Sequence, residues 1–110
     1  MKLCEVIDEL GLTPVVLAAG AGELAVDAAY CGDLLSDVLA HAQPRMLWFT
    51  IQAHVNIIAV AQLRDIAAVV LVNGAAPDPQ TVAKARAQGV NICSSTETSA
   101  ALCMRLADKL

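Results

Sequence analysis

Three short polar stretches carry the side chains best suited to chemistry. Thr50, Gln52, His54 and Asn56 follow one apolar run. Asn73 with Gly74 follows a second, and Ser94, Ser95 and Thr96 follow a third. All are neutral hydrogen-bonding groups. If the apolar runs are parallel strands, these turns meet beyond their carboxyl ends, where ligands gather in open α/β sheets. Two of them lead into helix-compatible sequence, whose first N–H groups can hold an anion. A small anionic or nucleotide-like ligand suits such a rim. Each stretch also has a plainer reading. His54 suits a cap or a solvated turn residue, Ser95 or Thr96 suits a cap for the following helix, and Asn73 with Gly74 suits an ordinary strand exit. The ligand reading rests on their convergence.

Bond-breaking chemistry finds less support. No nucleophile elbow is present, and no Ser/His/Asp or Cys/His arrangement has a local signature. His41 and His54 lack partners at metal-ligand spacing. No catalytic residue, metal site or cofactor is therefore assigned, and the chain is expected not to be an enzyme. The glycines at 20 and 22 form neither a G-x-G-x-x-G nor a Walker A sequence, so they read as a flexible turn. Cys4, Cys31, Cys93 and Cys103 lie far apart with no C-x-x-C pair and read as small buried hydrophobes.

Composition narrows the partners. A net charge of -4 without any Lys/Arg cluster argues against nucleic acid. No stretch reaches the roughly 18 to 20 apolar residues of a membrane span, and Glu5, Asp8 and Glu9 interrupt any signal-peptide core, so a cytoplasmic protein is expected. At 110 residues and 57% hydrophobic, the chain reads as one domain, residues 1–110, with an aliphatic core.

The elements that must position the polar turns centre on residues 45–74. Apolar runs at 46–51 and 67–72 are of strand length, and helix-compatible sequence at 55–63 separates them. That pattern predicts a right-handed βαβ unit with strands buried on both faces. Residue spacing predicts a helix over 2–10 with Gly11 as C-cap, and strands over 14–18 and 26–31. A helix follows from Asp33 to about His41, and Gln43 with Pro44 ends it. Asp33 suits its N-cap; a ligand-contacting loop is the competing role. Asp78 and Pro79 open a helix that Gly89 closes. Residues 90–93 form a short strand, and Leu102, Leu106 and Leu110 mark a final helix. The expected architecture is α/β, three layers α/β/α, with a mostly parallel sheet of four or five strands.

The run VLVNGAAPDPQTVAKARAQGVNICSSTETSAAL resembles the second half of a DRTGG domain. That family has an apolar strand, a small-residue turn, a proline-led helix, a short Gly-Val strand and a Ser/Thr-rich approach to a last helix. The upstream CGDLLSDVLAHAQPRMLWFTIQAHVNIIAVAQL is similar to short, free-standing members. The resemblance implies a fold like the N-terminal domain of HPr kinase/phosphorylase and a regulatory, non-catalytic role. In CBS-containing pyrophosphatases such domains are associated with adenine-nucleotide binding. It also implies dimerisation and, for free-standing members, an association with hydrogenase or redox-sensing components. The chain departs from the family at one point. Larger members carry Gly-Asp-Arg after the central strand, and here Gln52, Ala53 and His54 stand instead. An anion contact at that place would fall to His54 with Asn56. The hydroxyl loop and the Asn73 turn do match.

Two functional expectations follow. The first is a regulatory module that binds a small anionic ligand or adenine nucleotide at the strand-end rim, as a homodimer or beside a larger protein partner. The alternative is a protein–protein adaptor without a ligand. A hydrolase or transferase would need a carboxylate or Cys93 brought beside His54. The helix over 55–63, apolar nearly all round, predicts deep burial, under another element or in a dimer interface.

Overall fold

The computed structural model describes residues 1–110. α1 (Leu3–Leu10) is amphipathic and buries Leu3, Val6 and Leu10. Gly11 ends it in the left-handed conformation, with φ 61°. β1 (Thr13–Val16) and a single 3-10 turn (Ala21–Glu23) lead to β2 (Ala28–Cys31). α2 (Leu35–His41) and β3 (Met46–Thr50) follow. α3 (Asn56–Leu63) and β4 (Ala68–Leu71) complete the βαβ unit that the two apolar runs predict. α4 (Pro79–Gln88), β5 (Ile92–Ser94) and α5 (Ser99–Leu106) close the chain.

The five strands form one sheet in the order β1-β5-β4-β3-β2. Strands β2 to β5 are parallel, and β1 alone runs antiparallel, against β5. The mostly parallel sheet is thus as expected. β1 and β2 are consecutive in the chain yet lie at opposite edges. Pro14 sits in edge strand β1, where its missing N–H breaks no ladder on the open side, and the register shifts just after it.

Alternation along the strands sorts the core into two halves. Leu47, Phe49, Ala68, Val70 and Cys93 face α1 and α5. Trp48, Val69, Leu71 and Ile92 face α2, α3 and α4. With both faces covered, Met46–Phe49 of β3 and Ala68–Leu71 of β4 are apolar at every position, which is why the two strands read as continuous runs. The Trp48 indole, fully buried, donates to the Gly32 carbonyl at 2.8 Å. α3 packs between α2 and α4 and buries Ile57, Ile58, Val60 and Ala61. Its apolar character is therefore used inside this chain.

Two capping expectations give way and a third holds in position. Leu34, not Asp33, occupies the N-cap of α2. Thr98, not Ser95 or Thr96, caps α5 by accepting from the Ala101 N–H. Asp78 holds the N-cap of α4 without a side-chain bond; Pro79 at N1, which needs no N–H partner, starts the helix. Leu110 lies beyond α5 and is exposed. The cysteines depart further. Only Cys93 is buried, whereas Cys103 is half-buried and Cys4 and Cys31 are exposed. No helix is long and apolar enough to cross a membrane.

Candidate functional site

Because β3, β4 and β5 are parallel, their carboxyl ends share one edge of the sheet, and the three polar turns lie along it. The turn after β4 and the loop after β5 are laced together by backbone. The Asn73 N–H donates to the Glu97 carbonyl at 3.0 Å, and the Gly74 N–H to the Ser95 carbonyl at 2.9 Å. The Ser95 N–H returns to the Leu71 carbonyl at 2.8 Å. This lacing needs two successive residues at positive φ, Asn73 at 58° and Gly74 at 74°. Asn tolerates that region better than most residues, and glycine enters it freely.

Between these turns lies a cavity of about 230 Å³, lined by Thr13, Gly74, Ala75, Ala76, Pro77, Ser94, Ser95 and Thr96. Gly74, Ser94, Ser95 and Thr96 were expected in the site and are here brought together. Asn73 is exposed at its flank and contributes its backbone to the lacing. Thr13 comes from the antiparallel edge strand, where it pairs directly with Ser94. The lining holds no charged side chain. The Ser95 hydroxyl accepts from the Glu97 N–H at 3.0 Å. The hydroxyls of Thr13, Ser94 and Thr96 and the N–H groups of Ala76 and Thr96 have no partner within the chain. Glu97 is turned to Arg105 of α5, which also donates to the Glu9 carbonyl of α1 at 2.7 Å. The loop is thus anchored from behind, and its hydroxyl side is left open.

The other expected residues sit in a different arrangement and do not line this cavity. The Thr50 hydroxyl, buried at 1% exposure, donates to Asp33 Oδ1 at 2.8 Å. The Ile51 N–H donates to the same oxygen at 2.9 Å. Gln52 Nε2 donates to the Asp33 carbonyl at 2.9 Å, and its N–H to the Thr50 hydroxyl at 3.1 Å. Asp33, freed from capping α2, therefore ties the end of β3 to the end of β2. Ala53 is tied in turn to α4, accepting from the Thr81 hydroxyl at 2.8 Å and the Asp78 N–H at 3.2 Å. His54 and Asn56 are exposed at the start of α3, and the Asn56 N–H lies 3.5 Å from His54 Nδ1. Cys93 is buried under α1 and α5, where burial pushes its thiol up to about 11; no hydrogen bond joins it to His54.

One pair was not expected at all. Cys31 Sγ, at the end of β2, lies 3.4 Å from Cys103 Sγ on α5. Desolvation first, and then the hydrogen bond with Cys103, push the Cys31 thiol up to about 12.

No family model matches the chain, and no curated protein matches it. Among solved structures, it is similar to the CBS and DRTGG domains of the regulatory region of a Clostridium perfringens pyrophosphatase, determined in complex with the activator diadenosine tetraphosphate. The TM-score is 0.77 at 9% identity. The match covers 99% of this chain and 47% of that one, so the chain spans under half of that regulatory region. The likeness is one of architecture, and by it the chain has a DRTGG-like α/β fold.

Proposed function

We propose that this chain is a regulatory, non-catalytic module that binds a small ligand in the cavity between the Asn73 turn and the hydroxyl loop. The observation that carries this reading is the use of the loop's polar groups. Its backbone is fixed by bonds to the β4 turn, while the hydroxyls of Thr13, Ser94 and Thr96 remain free for a guest. A cleft of neutral donors and acceptors on a rigid frame selects by hydrogen-bond pattern. The shared fold with a regulatory region solved with a nucleotide activator supports the same direction.

In the finer form of the proposal, the ligand is anionic and an adenine nucleotide is the first candidate. Its charge would be met by the N–H groups of Ala76 and Thr96 and by the nearby starts of α4 and α5, since no Lys or Arg lines the cavity. Residues 1–110 would act as one DRTGG-like unit in the cytoplasm, as a homodimer or beside a larger partner. The adaptor alternative draws no comparable support. The three most exposed large apolar side chains lie on separate helices: Met104 (73% exposed) on α5, Leu34 (68%) at the start of α2 and Leu63 (67%) at the end of α3. α2 and α3 each precede a parallel strand, so the two leucines stand at opposite ends of the layer.

A thermal-shift screen against adenine nucleotides, other phosphorylated metabolites and simple anions tests the proposal. A ligand that binds only the folded chain stabilises it by about 2.7 kcal/mol at a hundredfold excess over Kd. A saturable rise in Tm with adenine nucleotides supports the finer form. A rise with another class keeps the module and changes its ligand. No rise across the panel transfers the proposal to the adaptor.

A further inference from the structure

We propose that Cys31 and Cys103 are a redox-active dithiol that closes to an intramolecular disulfide. Their sulfurs stand 3.4 Å apart although the residues are separated by 72 positions. The fold places them deliberately on one side of the sheet. Ala29 of β2 packs into the core half under α1 and α5, and Tyr30 into the other half. Strand alternation then puts Cys31 on the α5 side. Cys103 itself packs against the margin of that same half. A disulfide needs its sulfurs at about 2.05 Å, so closure requires little more than an ångström of side-chain movement. Cys31 is exposed and Cys103 half-buried, so a small oxidant can reach the pair.

The oxidant is a low-molecular-weight disulfide, RSSR. Cys103 loses its proton to water and attacks one sulfur of RSSR; that S–S bond breaks and RS⁻ leaves. Cys31 then loses its proton to water and attacks Cys103 Sγ, releasing the second RS⁻. The two thiolates take up the two protons. Two protein thiols are oxidised, one RSSR is reduced to two RSH, and the Cys31–Cys103 bond is the product. Cys31 directly precedes Gly32 and Asp33, and α5 follows the hydroxyl loop. The disulfide would therefore join the two ends of the strand-end rim.

The test uses the full chain with glutathione disulfide as oxidant. After quenching with an alkylating agent, the expected wild-type product has no disulfide between chains, with the Cys31 and Cys103 peptides linked, buried Cys93 unmodified and exposed Cys4 either alkylated or carrying glutathione. Its Tm should rise, since the closed loop spans most of the chain, and should return to the starting value with reductant. In Cys31→Ser, the glutathione adduct should persist on Cys103, and in Cys103→Ser no internal link should form. Wild-type protein that keeps both thiols alkylatable would overturn the proposal. So would stable glutathione adducts on both, or a link between two chains. These readouts need no ligand and stand apart from the cavity reading.

Discussion

The two halves of the strand-end rim are built from the same kinds of residue and use them in opposite ways. Around β3, the hydroxyl of Thr50, the amide of Gln52 and the N–H of Ile51 all close on Asp33. Around β4 and β5, the backbone does the tying, and the hydroxyls of Ser94 and Thr96 stay free. The cause lies in one residue, whose carboxylate accepts from Thr50 and Ile51 and whose carbonyl accepts from Gln52. Asp33 supplies charged acceptor capacity next to β3, and groups that find such a partner inside the chain have little left for a guest. The hydroxyl loop has Glu97 as its nearest carboxylate, but Arg105 holds it. A polar residue at a strand end is therefore a ligand group only when nothing in its own fold has claimed it.

The largest effect on this contrast should come from Asp33→Ala. It strands the buried Thr50 hydroxyl and the Ile51 N–H, and hydrogen bonds to a charged acceptor contribute about 1.5–3 kcal/mol each. Partial access of water lowers the sum, so a loss of about 3 kcal/mol is expected in urea unfolding at constant slope. Asp33→Asn keeps an acceptor at the same place and should cost about 1 kcal/mol. A wild-type midpoint for Asp33→Ala would mean that the β3 half is not held by its own bonds, and the contrast would fail.

The opposite profile is expected for Ser95→Ala combined with Thr96→Ala. Stability should fall by only about 1 kcal/mol, through the lost acceptor for the Glu97 N–H. Affinity for whichever compound raises Tm should fall at least about tenfold, or about 1.4 kcal/mol, by titration calorimetry. Unchanged affinity in the folded double variant would remove the loop from the site. Gly74→Ala is a smaller intervention. A Cβ there meets open space, so only the positive φ of 74° opposes it, for a loss of about 1 kcal/mol. A markedly larger loss would show that the lacing between the two turns is strained elsewhere as well.

What could be read from the sequence followed from what is local. β3 and β4 were legible because strands buried on both faces are near-continuous apolar runs. Gly11 and Gly89 were legible as helix ends because each enters the left-handed region. Partner choice was not local. Asp33, Ser95, Thr96 and Thr98 can all cap a helix, and only the folded chain shows that Asp33 faces β3 and that Thr98 caps α5. Thr13 was missed for a related reason. It reaches the cavity because β1 pairs antiparallel with β5, and nothing in residues 13–16 announces that direction. Cys31 and Cys103 depend on two elements that are adjacent only after the sheet has formed.

The smallest expected effect is the most discriminating. His54 is exposed, and the one hydrogen bond of its side chain, from the Asn56 N–H at 3.5 Å, is at the limit of such a bond. His54→Ala should therefore change stability by less than about 0.5 kcal/mol, within the usual range for surface substitutions. If the cavity holds the ligand alone, affinity should also stay at the wild-type value. The turn that carries His54 is nevertheless not remote in the backbone, because Ala53 accepts from both Thr81 and Asp78 of the segment that opens α4. An elongated ligand lying along that segment would reach His54 from the cavity. A loss of affinity in His54→Ala without loss of stability would therefore join the two halves into one extended site, and its absence would confine the ligand to the hydroxyl loop.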